Sequence, residues 1–142
     1  MSRILGIDYG ERRIGLALSD PTATIAQPLP TLTRRIGKRP PVSKILTIMS
    51  TNDVVEIVVG LPLTLAGEDS DWTRTVREFA DKLHTRAGIP VYLIDERMTS
   101  VQAERSVRSL GLKKSQREQK ERLDSAAALI LLQMYLDRRK AM

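Results

Sequence analysis

An apolar run that ends in a carboxylate, Ile4-Leu5-Gly6-Ile7-Asp8-Tyr9-Gly10, constrains the fold more than any other stretch of this 142-residue chain. The absence of polar residues before Asp8 is typical of a strand that is buried on both faces of a sheet. A buried strand would hold the Asp8 carboxylate rigidly at its end. Because an Asp two residues before a glycine also forms ordinary hairpin turns, this segment alone leaves both interpretations open.

Two further carboxylates, Glu96 and Asp124, also stand at the edges of strongly apolar segments. Three acids that converged on one place would form a divalent-metal site. Each of the two has an alternative interpretation. Asp95-Glu96-Arg97 could be a surface salt-bridge turn, which suits Asp95 better than Glu96 because adjacent strand side chains face opposite ways. Asp124 could instead cap a helix that begins there.

The residue types that the chain lacks narrow its chemistry. Without cysteine it has no disulfides, thiolate zinc sites or cysteine catalysis, and the single His84 disfavours a histidine metal cluster or a Ser-His-Asp triad. Carboxylates, lysines, arginines or hydroxyls must therefore carry the chemistry. From the length, the 42% hydrophobic content and the short apolar runs we expect one domain over residues 1–142, without a membrane span or signal peptide, in the cytosol.

The charge balance favours a polyanionic partner. The chain has 23 Lys and Arg against 17 Asp and Glu, a net charge of +6. Between Arg97 and Arg122 there are eight basic and three acidic residues. A second basic run contains no acid and consists of Arg34, Arg35, Lys38, Arg39 and Lys44. Both runs could be merely solvated surfaces. Since aromatic residues make up only 4%, we predict contacts with phosphate groups and not base stacking.

Hydrophobic periodicity predicts five strands, over residues 3–8, 14–18, 24–32, 54–59 and 91–95. Pro28 and Pro30 confine the third extended segment to an edge of the sheet or to an irregular strand. Helices are predicted over residues 41–50 and 71–86, from Thr99 to about Gly111, and from Ser115 onward. Three strands without helices, followed by alternating helices and strands, indicate an α/β fold. Its mixed five-stranded sheet would have three antiparallel strands, then parallel ones, and helices on both faces.

The final helix is predicted to bury an apolar face that includes Ala127, Ala128, Ile130, Leu131, Met134 and Tyr135. Helical spacing puts positions 124, 128, 131 and 135 on one face. The three alanines at 126–128 would let this helix approach the sheet closely. We therefore expect Asp124 to lie near the strand ends.

Four motifs occur in order along nearly the whole chain. They are Asp8-Tyr9-Gly10-Glu11-Arg12-Arg13-Ile14-Gly15-Leu16-Ala17-Leu18-Ser19-Asp20, Val59-Gly60-Leu61-Pro62-Leu63, Asp95-Glu96-Arg97-Met98-Thr99-Ser100, and Asp124-Ser125-Ala126-Ala127-Ala128 with Ile130-Leu131. Together they resemble the YqgF (RuvX) family of RNase H-like nucleases. The resemblance implies an RNase H-like fold with Asp8, Glu96 and Asp124 as the catalytic acids. Carboxylates suit Mg²⁺ or Mn²⁺, and two such ions can hydrolyse a phosphodiester bond.

The resemblance further implies a hydrolase that matures the 5' end of the pre-16S ribosomal RNA in ribosome biogenesis. Alternatives are a Holliday junction resolvase or a non-catalytic RNA-binding factor on the same scaffold. The nucleic acid would be a ribosomal RNA precursor or branched DNA, bound by a monomer or weak homodimer. Candidate substrate-binding residues are Arg13, Arg97, Lys113, Lys114, Arg117 and Lys120. Lys120 could equally pair with Asp124, one helical turn away.

A different superfamily, the sugar kinases, actin and heat-shock ATPases, has a similar first hairpin. Its two lobes need a longer chain and a second Asp-x-Gly hairpin, which is absent here.

The chain also departs from the RuvX pattern. Thr64 and Ala66 stand where the family usually has Asn and Asp, which puts any polar contact of that loop in doubt. Related resolvases carry a fourth acid on the final helix, where this chain has Ala127 and Ala128. Glu121, one turn before Asp124, could substitute for it.

Overall fold

The computed structural model describes the backbone of residues 2–35, 37–98 and 114–141, and the side chains of the same residues except 98 and 114–125. Five strands form one sheet: β1 (Arg3–Tyr9), β2 (Arg13–Ser19), β3 (Ala26–Thr33), β4 (Val54–Leu61) and β5 (Val91–Asp95). Their order is β3-β2-β1-β4-β5; β2 is antiparallel to β1 and β3, whereas β4 is parallel to β1 and β5. This arrangement confirms the predicted mixed sheet, and β3 with its two prolines lies at an edge.

The helices begin and end where the local sequence favours it. They are α1 (Val42–Thr51), α2 (Asp71–Ala87) and the C-terminal helix (Lys114–Ala141), and a short 3₁₀ turn (Glu96–Met98) follows β5. The Ser70 side chain accepts from the backbone N–H of Thr73 to cap α2, which ends at Gly88 with a φ of 71°. The helix predicted from Thr99 to Gly111 lies outside the described residues. None of the described helices is long and apolar enough to cross a membrane.

The two faces of the sheet are covered by different helices. On the two-helix face, α1 and α2 bury side chains such as Leu5, Ile7 and Ile57. On the one-helix face, the C-terminal helix packs on Ile4 and Val58. Because side chains alternate along a strand, β1 contributes its odd-numbered residues to the first face and its even-numbered residues to the second.

The buried stripe of the C-terminal helix differs in part from the predicted one. Ala127, Ala128 and Leu131 are buried as expected, but Leu132 and Leu136 are fully buried too, while Ile130, Met134 and Tyr135 are only partly buried. The buried stripe is the side of the helix that packs on β1, at Gly6, which has no side chain. A Cβ there would stand 2.8 Å from the Cβ of Leu132 and 3.4 Å from the carbonyl oxygen of Ala128. Gly6 thus permits the close approach that the sequence predicted from the alanines alone.

Candidate active site

Asp8 lies near the end of β1 on the one-helix face and is only 3% exposed. In the strand register it stands opposite Gly15 of β2. Since Ile7 pairs with Val59, the residue of β4 beside Asp8 is Gly60, about 4.8 Å away at the usual strand spacing. Neither neighbour therefore fills the space beside the Asp8 carboxylate with a side chain. Glycines inside strands often mark such close approaches.

Glu96 reaches the same place from the far side of β4. It begins the 3₁₀ turn after β5, is 3% exposed, and its carboxylate lies over Gly60. A Cβ on Gly60 would stand 2.6 Å from Glu96 Oε1, closer than real Cβ atoms approach other atoms. The missing side chain of Gly60 therefore makes room for the Glu96 carboxylate. The structure brings Asp8 and Glu96 together on one face, with Gly60 between their strands.

The neighbouring acid, Asp95, has a different environment. It accepts from the backbone N–H of Arg97 at 2.9 Å and from the Arg97 guanidinium at 2.7 and 3.1 Å. The hydrogen bond from the Arg97 side chain lowers the pKa of Asp95 below its ordinary value. The salt-bridge interpretation thus holds for Asp95, whereas Glu96 is buried on the opposite side, as strand alternation predicts. The pair fixes the turn from which Glu96 projects.

The loop after β4 contributes to this turn through its backbone. Thr64 and Glu68 close the loop with a hydrogen bond of 2.9 Å, and Gly67 adopts a positive φ of 83°. The Arg97 guanidinium donates to the carbonyl oxygen of Leu65 at 3.3 Å and lies beside Gly67. Because a backbone carbonyl makes this contact, it does not need the Asn and Asp that the family usually has here.

Asp124 lies well inside the C-terminal helix, which begins at Lys114, so Asp124 is not the N-cap of that helix. The helix runs antiparallel to β1 and β4: Leu131 lies over Gly60 near the end of β4, and Tyr135 bonds Glu56 near its start. Position 124 is one turn, about 6 Å, before Ala128, and Asp8 is two residues, about 7 Å, beyond Gly6 in the same direction. The backbone therefore brings position 124 toward the Asp8 end of the sheet.

Among the described side chains, no three potential ligands lie close enough to hold a metal ion. The side chain of Asp124, the third predicted ligand, lies outside the described residues. The same applies to Glu121.

The predicted substrate-binding residues fall into two groups. Arg13 begins β2 at the Asp8 end of the sheet and is partly buried, and the Arg97 guanidinium contacts Asp95 and Leu65. Lys113 and the side chains of Lys114, Arg117 and Lys120 lie outside the described residues. A role of these six residues in binding substrate stays a prediction.

Arg34 has a structural role that the sequence did not reveal. Its guanidinium stacks over the rings of Tyr9 and Trp72, 4.9 and 5.5 Å from their centroids, and donates to the Glu11 carbonyl oxygen at 2.9 Å. Tyr9 also stacks on Phe79 at 4.0 Å, and its burial raises the pKa of the Tyr9 hydroxyl. This stack fixes the turn that follows Asp8. No local pattern links position 34 to position 9, so the contact could not be predicted from spacing.

Comparisons with known proteins show which family this chain is similar to. The family model described as "RuvX: Holliday junction resolvase" matches residues 2–138. A protein of Roseiflexus sp. named "Putative pre-16S rRNA nuclease" is 43% identical over 95% of this chain and 94% of its own length. A protein of the same name from Koribacter versatilis is 44% identical over 96% of this chain and 88% of its own.

Among solved structures, T. thermophilus RuvC in complex with a Holliday junction substrate has a TM-score of 0.56 and 19% identity, and the match covers 96% of each chain. A second Thermus thermophilus RuvC structure has a TM-score of 0.54 and 16% identity, covering 98% of this chain and 96% of that one. At these identities the likeness concerns the fold, and it confirms the predicted RNase H-like architecture. On the family model and the two relatives, the chain belongs to the RuvX family.

Proposed function

We propose that this protein is a metal-dependent endonuclease that hydrolyses phosphodiester bonds of the pre-16S ribosomal RNA, in the maturation of its 5' end. The observation that carries the proposal is the pair of buried carboxylates, Asp8 and Glu96, on either side of a glycine. Membership of the RuvX family and the names of the relatives support the reaction and the RNA.

The residues of the site suit a divalent cation. Burying two carboxylates on one face is costly, because each is desolvated and they repel each other. A cation between Asp8 and Glu96 would offset both costs, and Asp124 would add a third ligand from the C-terminal helix. Mg²⁺ or Mn²⁺ prefers such hard oxygen ligands. When bound, these ions activate a water, neutralise the charge on the phosphate and stabilise the leaving oxygen.

The protein's own contribution is to hold the acids still. Asp8 is fixed by a strand that is hydrogen-bonded on both sides. Gly60 leaves room for the Glu96 carboxylate, and the turn that Asp95 and Arg97 close fixes the position of Glu96. Carboxylates held in position before the substrate binds need no reorganisation during the reaction, which favours the transition state.

A second candidate substrate is a Holliday junction. The family model bears that description, and the RuvC neighbour was solved with such a junction. The basic surplus of this chain suits either nucleic acid, since both offer a phosphate backbone. We favour RNA because the relatives that match at 43–44% identity are named for it.

The test compares cleavage of a labelled pre-16S RNA and a labelled four-way DNA junction in Mg²⁺ or Mn²⁺. Asp8→Asn and Asp124→Asn should each lose about a hundredfold or more in cleavage rate, because each removes one charge that offsets the cation. Asp81→Asn, an exposed position on α2, removes the same charge and should leave the rate unchanged. Without metal, the melting temperature of both site variants should hold or rise, since repulsion among the acids is relieved.

Each outcome decides between candidates. Cleavage of the junction but not of the RNA would replace the proposed substrate by the second one. Full activity in Asp8→Asn would refute the carboxylate site. Tight RNA binding with no cleavage by the wild-type protein would identify a non-catalytic RNA-binding factor.

A further inference from the structure

The end of the sheet that holds Asp8 and Glu96 also holds a group of exposed cations. Strands β1, β4 and β5 end there, and β2 begins there with Arg13. Because Arg13 pairs with Thr33, the last residue of β3, that strand also ends there. Arg12 and Arg34 meet at this end, and the segments of sequence around them, 10–13 and 33–44, contain seven basic residues and one acid, Glu11. The strand order, and not nearness in sequence, therefore brings the basic residues and the two acids to the same end of the sheet.

Backbone contacts fix these two segments to each other. The backbone N–H of Arg34 donates to the carbonyl oxygen of Arg12 at 2.7 Å, which extends the β2–β3 ladder by one step. The backbone N–H of Lys38 donates to the carbonyl oxygen of Arg35 at 3.1 Å. Since Gly37 also has a positive φ of 78°, the chain makes a tight turn there. Arg34 itself is held on Tyr9 and Trp72. The segment is thereby anchored by one arginine and presents the others.

Five cations of these segments are exposed. Four of them lie before α1, namely Arg12, Arg35, Lys38 and Arg39, and we call these four the hairpin-end basic surface. Within the described residues none of them forms an ion pair, unlike Arg77 with Asp69 or Arg97 with Asp95. Unpaired exposed cations keep their full charge for an external partner. A merely solvated arginine-rich surface would more often intersperse acids.

We infer that the hairpin-end basic surface binds the phosphate backbone of the RNA on one side of the scissile bond. The inference rests on the proposed function. The end of β3 lies three strand spacings, about 14 Å, from the end of β4, a span of about four nucleotides in a helical strand. Acids at the site repel a polyanion, and cations at the same end of the sheet would offset this repulsion and hold the strand there. Such contacts position the RNA without reading its bases.

The test measures binding of a labelled RNA strand of mixed sequence in EDTA, so that no cleavage occurs, over a series of salt concentrations. A variant with Arg35→Gln, Lys38→Gln and Arg39→Gln should bind about tenfold or more weakly at low salt. The slope of log affinity against log salt should become shallower by about 2, because each neutralised cation releases about 0.7 fewer counterions from a single strand.

The matched control neutralises Lys82, Arg139 and Lys140, three exposed cations away from this end of the sheet. It should keep the wild-type slope. Melting curves of both variants report that they fold. If the two triple variants had equal slopes, the inference would be overturned, even where wild-type protein cleaves RNA with metal. If the slopes differ but wild-type protein cleaves no nucleic acid, the surface stands and the proposed function fails.

Discussion

The two faces of the sheet differ in what their side chains do, although the same strands supply both. On the two-helix face, β1 contributes Leu5, Ile7 and Tyr9, all large and buried. On the one-helix face it contributes Ile4, Gly6 and Asp8, of which one is apolar and large, one has no side chain and one is charged. Strand alternation thus lets one strand serve stability and chemistry at the same time, with little interference between them.

Small residues are what make the one-helix face suitable for a site. Gly6, Ala17 and Ala128 let the C-terminal helix approach β1, and Gly60 leaves space for the Glu96 carboxylate. Among the described residues, the buried apolar cluster on this face has fewer members than the cluster on the two-helix face, so we expect it to contribute less to stability. The two-helix face compensates with a continuous apolar core.

The largest expected effect would come from Ile7→Ala on the two-helix face. Ile7 is fully buried, so the change should lower the free energy of unfolding by about 2–5 kcal/mol through lost burial and a cavity. The cleavage rate of the folded protein should stay within a few-fold, because the adjacent Asp8 faces the other way. Denaturant unfolding and cleavage at low temperature measure the two quantities. A large loss of rate at full folding would show that the faces are not independent.

Gly60→Ala should lower the cleavage rate rather than the stability, and its effect should be smaller in free energy than that of Ile7→Ala. Its Cβ would displace the Glu96 carboxylate, so we expect a fall in cleavage rate of about 10–100-fold, comparable to misplacing a catalytic group by about 1 Å. The control is Gly88→Ala. Gly88 caps the end of α2 with a positive φ, and a Cβ added there would meet no atom within 4 Å. This control should cost roughly 1 kcal/mol of stability without changing the rate. Equal rates in the two variants would contradict the role assigned to Gly60.

The smallest effect concerns Tyr135, at the far end of the one-helix face. Its hydroxyl donates to Glu56 at 2.6 Å, and burial, together with that contact, raises the pKa of Tyr135 above its ordinary 10.0. Because the pKa of Tyr135 is higher in the folded than in the unfolded state, the stability that its hydroxyl contributes is present below pH 10. That stability is lost as the pH rises through the pKa of the folded state. Tyr135→Phe should therefore cost about 1 kcal/mol or less near pH 7 and flatten the alkaline loss of stability.

Melting temperatures of wild-type and Tyr135→Phe protein between pH 7 and 11 test this directly. The difference between the two curves should shrink as the pH rises. A constant difference would mean that Tyr135 contributes only packing.

Much of the sheet could be predicted because its signals are local. Apolar runs located all five strands, and Pro28 and Pro30 correctly indicated an edge. Asp8 and Glu96 could be singled out because each follows such a run. That Asp95 and Glu96 would separate to opposite sides also follows from alternation alone.

The remaining features depend on contacts between distant segments. The space over Gly60 exists only because β4 lies between β1 and β5, and no spacing in the sequence encodes that neighbourhood. The stack of Arg34 on Tyr9 likewise needs β3 and β1 to end together. The buried stripe of the C-terminal helix was shifted toward Leu132 and Leu136 because Gly6 determines where the helix touches the sheet.

The attachment of the C-terminal helix also bears on the order in which the protein is made. Gln133 accepts from the backbone N–H of Ala26 at 2.9 Å and donates to the carbonyl oxygen of Thr24 at 3.0 Å, contacts that span more than a hundred residues. All elements of the two-helix face precede this helix in the chain. During synthesis the apolar core can therefore form first, whereas the face with the acids is completed only after this helix has been made. A nascent chain would thus hold a folded scaffold but no assembled site.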